Sequence, residues 1–371
     1  VSAFALDVII PRLRGSYSTD VSLLRYLEAL TFDFQRDGED VSAVLIYSEP
    51  DPDEAGIYRF VAAADSGFEG IACVDDTARA ASLALAVYER TGSRKALALA
   101  RRWLTFVTYM QYPDGDFANF IRNAAGVRNA TGTTSVKGGY WWSVRALWAL
   151  ARAYRLTGDK RYLEHYRSCR LEPPADAKIR AVMALAELEL LKVEAGDQLK
   201  SSILDHCNFI ASTAVSGYFR DQPANEAVSM WGYHQLHAVA SAARELEAPY
   251  LLAPCRTTVR TLIAPDVIAL LWHAYPSKQK TSICAYDAAP IVQGLAAMYR
   301  ATEAKKYRDL ALQASAWFYG RNDARAAMYD PTTGRCKDGI SDGIASRNCG
   351  AESSIEAGFA ELERRELLEQ S

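Results

Sequence analysis

The sequence has no apolar run close to the roughly 20 residues that a membrane-spanning helix needs. Its longest such stretch, Leu262–Trp272, is broken by Pro265 and Asp266. A membrane partner is therefore not expected. A basic stripe is missing too. The 42 Lys and Arg are interspersed with 45 Asp and Glu, for a net charge of −3. Nothing of this kind would neutralise a phosphate backbone, which argues against nucleic acid. No CxxC pair and no Cys/His cluster at zinc spacing occurs. The seven cysteines, at 73, 169, 207, 255, 284, 336 and 349, are odd in number and scattered. They suggest reduced thiols in a cytoplasm rather than a disulfide framework. Cys336 and Cys349, which flank a loop-rich segment, are the pair in which a bridge would be sought. The opening residues, Val1–Asp7, have no basic region and no long apolar core, so they do not read as a signal peptide. Neither a phosphate cradle nor a metal-ligand set is present, and no cofactor or metal is expected.

What the chain does have is helix. Ala, Leu, Glu and Arg, all strong helix formers, fill the periodic segments. The pattern predicts twelve helices, about 20–36, 74–91, 94–111, 140–156, 159–169, 176–194, 198–214, 226–247, 256–274, 286–301, 304–319 and 350–369. Breakers fall between them, among them Gly67, Gly92, Gly158, Pro173 and Pro174, Gly196 and Gly320. An internal repeat organises them. Tyr88-Glu-Arg-Thr-Gly92, Tyr154-Arg-Leu-Thr-Gly158 and Tyr299-Arg-Ala-Thr302 each end one helix, and a basic start to the next follows at once. In the first two copies Thr-Gly stops one helix, and the Ser or Asp after it caps the next. A repeated helix–turn–helix unit implies stacked pairs. Six pairs are the number that closes an all-α (α/α)6 toroid, expected here as one domain over 1–371. An open superhelix of the same pairs is the competing architecture. The long loops at 36–73, 112–138 and 320–349 favour the ring, because long structured loops are usually functional.

If 94–111, 159–169, 198–214 and 304–319 are outer helices, their partners form an inner wall. The inner helices then start at one end of the ring, near Asp75–Asp76, Trp141–Trp142, Asp176, Glu226 with Trp231, Tyr286–Asp287, and Glu352. Helix N-termini favour acids through their exposed amides, so part of this pattern is expected from capping alone. Capping needs only one acid, however, and Asp75 and Asp76 are two. Around them the chemistry suits sugars, whose C–H faces stack on indoles while their hydroxyls need polar neighbours. Trp141 or Trp142 could stack a ring, and Phe117 and Asn119 could edge a subsite. Glu226 and Tyr233 fall about two turns apart on the helix expected at 226–247. His234 and His237, at i,i+3 spacing, could share a metal, but no third ligand is apparent and no HExxH pattern occurs. They read as polar residues inside the ring. Glu352 opens the last inner helix, which a closed ring would bring next to the first. Two acids on opposite sides of a cleft are what glycosidic bond cleavage needs: one protonates the leaving oxygen, the other activates water.

Six segments carry a resemblance. They are Asp75-Asp76-Thr-Ala-Arg79, Gln111-x-Pro-Asp114-Gly-x-Phe117-x-Asn119-Phe120, Tyr286-Asp287-x-x-Pro290, Trp317-Phe-x-Gly320-Arg-Asn322-Asp323, Tyr329-Asp330-Pro-x-Thr-Gly334 and Asn348-x-Gly350-Ala-Glu352-Ser353. In this order they resemble an uncharacterised (α/α)6-toroid family found near, or fused behind, group 1 glycosyltransferases. The likeness spans roughly 65–160 and 283–362. It implies a possible glycosyltransferase partner. More distantly the chain is similar to family 9 inverting glycoside hydrolases, which carry paired aspartates early and a general-acid glutamate late. Their His-containing motif is missing here. That likeness implies Asp75 or Asp76 as base and Glu352 as acid.

The reading drawn from these residues is an inverting glycoside hydrolase acting on an oligosaccharide or glycan. Asp75, Asp76 and Glu352 would be catalytic. Trp141, Trp142, Phe117, Asn119, Glu226, Trp231, Tyr233, His234, Tyr286, Asp287 and Asn348 would bind substrate. Two other classes stay open: a non-catalytic glycan-binding or assembly module serving a glycosyltransferase, and a sugar epimerase in which His234 or His237 would be central.

Overall fold

The computed structural model describes residues 9–10, 21–61 and 69–370. Its helices are α1 (Arg25–Ala29), α2 (Val74–Thr91), α3 (Arg94–Tyr109), α4 (Tyr140–Thr157), α5 (Lys160–Ser168), α6 (Ala177–Leu191), α7 (Asp197–Ser212), α8 (Gln235–Glu245), α9 (Leu252–Thr258), α10 (Ala264–Ile268), α11 (Ala285–Thr302), α12 (Lys305–Ser315) and α13 (Ala351–Glu369). Packing groups the chain into two compact units. The first runs to Leu171 and takes in Tyr329–Asp338 and Arg347–Gly358; the second comprises Glu172–Met328, Gly339–Ser346 and the chain from Phe359.

The repeat read from the sequence builds helix pairs. Gly92 and Gly158 end α2 and α4 in the left-handed region, at φ 68° in both cases. Only a residue without Cβ takes that turn freely. Ser93 and Asp159 then cap α3 and α5 by accepting the amides of Ala96 and Arg161. In the first unit α2 packs on its partner α3 and on α4, the next helix of its own kind. In the second unit α6 packs on α7 and α8, and α11 on α8 and α12. Within each unit, then, helix pairs pack on their neighbours. Helix α11 is buried without interruption from Ala285 to Met298. A helix apolar on all sides belongs inside a fold, and its many alanines let neighbouring helices approach closely.

Short ribbons interrupt the helices, and three expected helices change because of them. The helix expected at 20–36 shrinks to α1, preceded by a 3-10 turn at Ser22–Leu24. Thr31–Arg36 instead pairs antiparallel with Glu39–Val44. The reason is the turn between them: Asp37 and Gly38 both take positive φ, 52° and 84°. Asp-Gly is the preferred two-residue hairpin turn, because its twist matches that of the strands. The hairpin braces α3, with the Trp103 indole donating to Thr31 Oγ1 at 2.9 Å and Arg102 bonding Asp33 at 2.8 Å. The helix expected at 226–247 starts only at Gln235, because Val228–Ser229 pairs with Ala274–Tyr275 and Gly232 turns at φ 67°. The helix expected at 256–274 runs from Leu252 through a π turn and stops at Ile268, where Leu270 and Leu271 take positive φ. No helix among the described residues is long and apolar enough to cross a membrane. All seven cysteines are free thiols, Cys336 and Cys349 included.

Candidate functional site

In the first unit the starts of α2, α4 and α13 come together. Cys73 stands in the extended region and its sulfur, not either aspartate, accepts the Asp76 amide at 3.4 Å. The capping explanation of the aspartate pair therefore fails, and both carboxylates are available for other contacts. They turn to guanidinium groups. Arg79, one turn on, is buried with its side chain only 4% exposed. Its Nη2 donates to Asp76 Oδ1 at 2.7 Å and to Glu352 Oε2 at 3.0 Å. Its Nη1 donates to Glu356 Oε1 at 2.8 Å, and its Nε lies 3.4 Å from Asp75 Oδ1. Arg145 of α4, buried as well, forms an ion pair with Asp75 and lies over the Trp141 ring, 4.8 Å from its centroid.

Four carboxylates thus share two guanidiniums, an excess of negative charge in a mostly dry place. The consequence is proton retention. Burial, opposed by Arg79 and reinforced by Asp75 and Glu352, pushes Asp76 up to about 7. Burial likewise raises Glu356 to about 7 against the pull of Arg79. Asp76 thus holds a proton far more readily than an ordinary carboxylate. The half-buried Asp338 accepts the Gly350 amide and is raised to about 6 by burial, with Glu352 adding to the rise. The half-buried Tyr47 keeps its proton well beyond its ordinary value, through burial and the charges of Asp338, Asp76 and Glu352. Of the four carboxylates around Arg79, Asp75 and Glu352 retain exposed side-chain surface, 18% and 32%, against 6% for Asp76 and 2% for Glu356. Because Asp76 and Glu352 sit 2.7 and 3.0 Å from one nitrogen, their nearest oxygens are no farther apart than those lengths laid end to end. That is less than the roughly 6.5–9.5 Å an inverting pair leaves for water.

Several residues expected to touch substrate are instead internal supports. Phe117 is fully buried, and its carbonyl accepts the Trp142 indole N–H at 3.0 Å. Trp142 is packed so closely that a Cβ on Gly139 would stand 1.6 Å from its ring. Asn119 is buried, accepts the Asp75 amide at 3.2 Å and donates to the Thr134 carbonyl at 3.0 Å. It positions the start of α2 rather than a ligand. Trp141 is half-buried, and Asn348 is exposed.

The second unit gathers the starts of α6, α8 and α11. Glu226 does not join them. It is exposed, outside any helix, and paired with Arg220 at 3.2 Å, because the helix on which it was placed begins nine residues later. Tyr233 is fully buried and donates to the Phe219 carbonyl at 2.7 Å, so it too is a support. Tyr286 is buried, with the Trp231 ring against it at 4.9 Å and the His234 ring nitrogen 3.2 Å from its hydroxyl. His234 is itself buried, and its ring lies 6.0 Å from that of His237. Among the described residues no group of three or more His, Cys, Asp or Glu could hold a metal ion. Lys178 of α6 donates to the Trp231 carbonyl at 3.2 Å and pairs with Asp221 at 3.4 Å.

Asp287 is fully buried. Its carboxylate reaches back to the Cys284 amide at 2.7 Å, completing a capping box, and meets His273 Nδ1 at 3.1 Å. The sequence reading missed His273 because it fell inside an expected helix; the adjacent tyrosine and Pro276 were the available sign that the helix had ended. Arg79 was visible in its motif, but nothing in its spacing showed that it pairs with the acids of α13.

No family profile and no curated protein matches the chain in sequence, so its likeness to the glycosyltransferase-associated family rests on the six motifs. Solved structures do match. A sugar epimerase from a ruminal bacterium is 13% identical, with TM-score 0.64 over 94% of this chain and 98% of its own. A family 76 glycoside hydrolase from a bovine Bacteroides thetaiotaomicron strain is 12% identical, with TM-score 0.62 over 95% of this chain and 77% of its own. An α-1,6-mannanase of Salegentibacter is 11% identical, with TM-score 0.62 over 94% of this chain and 98% of its own. The mannanase is an inactive variant with two consecutive aspartates replaced by alanine, in complex with α-1,6-mannotetrose. The chain therefore has the helical fold of the (α/α)-toroid glycoside hydrolases and sugar epimerases.

Proposed function

We propose that this chain is a carbohydrate-active enzyme that cleaves a glycosidic bond in an oligosaccharide or glycan, with Asp75 and Glu352 as the acting carboxylates. The observation that carries this reading is the pair of solvent-reaching acids held on one buried Arg79, each with a more buried acid behind it. Glu352 would protonate the leaving oxygen. Asp76, which holds a proton near neutral pH and shares the Arg79 nitrogen with Glu352, keeps a proton within the cluster. Asp75 would activate water. Asp76 is too near Glu352 for a water to stand between them, so inversion requires Asp75 as the base. The inactive mannanase lends support, since it too has lost an adjacent aspartate pair. Fold-level likeness alone would be a weak warrant for activity. Trp141, held under the Arg145 guanidinium, is the proposed stacking surface, with Asn348 as a polar contact. A closed ring of six pairs, a glycosyltransferase partner and a cytoplasmic location belong to the same proposal.

The test is Asp75→Asn and Glu352→Gln, assayed on a panel of glycosides. Each should lower turnover by about 10²–10⁴-fold while saccharide binding survives. Proton NMR of the first-formed product should show the inverted anomer. A specific observation favours a second reading, that of a glycan-binding module: Arg79 and Arg145 already engage the acids, as they would in a purely structural cluster. That reading wins if the wild type binds saccharides, hydrolyses none, and neither substitution does more than weaken binding.

A further inference from the structure

The second unit holds a titratable group that the proposed hydrolysis does not use. His273 keeps 30% of its side chain exposed, while the carboxylate it meets, Asp287, is 0% exposed. Its backbone is pinned on both sides: its carbonyl accepts the Met230 amide at 2.9 Å, and its amide donates to the Gln279 carbonyl at 2.7 Å. Asp287 is fixed in turn by the Cys284 amide at 2.7 Å. A carboxylate fixed in this way on Nδ1 sets the ring's tautomer: Nδ1 carries the proton toward Asp287, and Nε2 is left as the free lone pair. Next along the chain from Met230 comes the half-buried Trp231, whose ring edge meets Tyr286, the residue before Asp287. An oriented imidazole and an indole thus lie at the same end of the small ribbon formed by Val228–Ser229 and Ala274–Tyr275.

We propose that His273 and Asp287 form a proton-transfer pair in the second unit, acting on a hydroxyl of a saccharide bound beside Trp231. In that step the saccharide O–H bond breaks and an Nε2–H bond forms. The O–H electron pair stays on the sugar oxygen as an alkoxide beside the imidazolium, whose positive charge Asp287 balances, and the proton returns to that oxygen when the step reverses. No further reactant is needed. The surrounding charges set the working range. The Asp287 hydrogen bond raises His273 above its ordinary value, opposed by burial and by the Lys178 ammonium. Lys178 is itself paired with Asp221; Asp266 of α10 and, on Asp266, Lys280 complete the charges near the pair. His234 is bonded to the Tyr286 hydroxyl and does not compete for Asp287. The pair accepts protons above the raised value and donates them below it.

This inference rests on the carbohydrate reading, and the experiment keeps the two apart. In the full chain with ¹⁵N-labelled histidine, the His273 ring is followed by NMR against pH, with and without free hexoses and α- and β-linked disaccharides. The neutral ring should carry its proton on Nδ1. Asp287→Asn should lower its titration midpoint, and a bound saccharide should move the Nε2 resonance. The Asp75→Asn chain, deficient in hydrolysis, should show the same shift. A neutral ring protonated on Nε2, or an Nε2 resonance that stays still while the wild type binds a saccharide, overturns the inference and leaves the carbohydrate reading standing. If no saccharide binds the wild type, both fall.

Discussion

Helices α2 and α11 open with the same pattern, Cys-x-x-Asp, as Cys73 to Asp76 and Cys284 to Asp287. In both a cysteine is the capping residue and the aspartate stands three places on. Their fates differ. Asp287 turns back to the amide of its own cap and to one imidazole. Asp76 turns forward to Arg79, which gathers three more acids. The residue three positions after the aspartate is Arg79 in one helix and Pro290 in the other. A guanidinium within reach outcompetes a neutral backbone amide for a buried carboxylate, because charge-assisted hydrogen bonds are roughly twice as strong as neutral ones. The same local signal therefore yields a charge cluster in one unit and a capped, oriented imidazole in the other.

The contrast is broken most severely by Arg79→Met. Removing the shared cation leaves Asp76 and Glu356 buried without a partner, and loss of one side of a buried ion pair costs about 3–5 kcal/mol. Urea unfolding at neutral pH measures this. A loss below about 1 kcal/mol would mean that the cluster is not dry, a range typical of exposed pairs. Asp287→Ala should cost less, about 1–2 kcal/mol, by stripping α11 of its capping carboxylate. Asp76→Ala should cost less again, since Arg79 keeps three other acids and loses only one of them. If Asp76→Ala proves more damaging than Asp287→Ala, the distinction drawn between the two helix starts is wrong.

The gentlest probe is pH. Asp76 and Glu356 are raised in the folded chain to about 7, above their unfolded values. Between the unfolded and folded values the folded state holds more protons, so stability falls as pH rises. The loss should run from about pH 4 to about pH 7 and then level off. His273, raised by Asp287, adds to the decline as pH passes its own folded value. Urea midpoints taken at intervals from pH 5 to 8 should therefore decrease, and Asp76→Asn should flatten the slope. A midpoint that climbs over this range would contradict the proton-holding role of the cluster.

Much of the helix framework was legible because its signals are local. Thr-Gly stops and Ser or Asp caps read directly as pair boundaries at 92 and 158. The third copy hid its stop, since Glu303 takes the left-handed turn at φ 54° without a glycine. The ribbons were harder. Ser22–Ala29 are indeed helical, and the alternation beyond them is betrayed only by Asp37-Gly38. Of the site, the identity of Asp75, Asp76 and Glu352 as neighbours came from counting helix pairs, and within the first unit they do share Arg79. What stayed hidden was which acids face solvent and which face inward. That depends on the guanidiniums of Arg79 and Arg145, and on Cys73 serving as the cap. Phe117, Trp142 and Tyr233 were misread because an aromatic near an acid looks the same in sequence whether it faces a ligand or seals the core.

Arg79 and Glu356 bond across 277 positions of sequence. The first compact unit is thus completed by residues made long after α2. A ribosome extends a chain by about 5–20 residues each second. For tens of seconds, then, α2 exists without α13, and Arg79 and the aspartates beside it remain hydrated. Contacts so distant in sequence form late, after loop closure has been met. The buried charges would then act as a checkpoint of completeness. A chain that stops short of α13 has no Glu352 or Glu356 to draw Arg79 inside, and its first unit stays open to proteases.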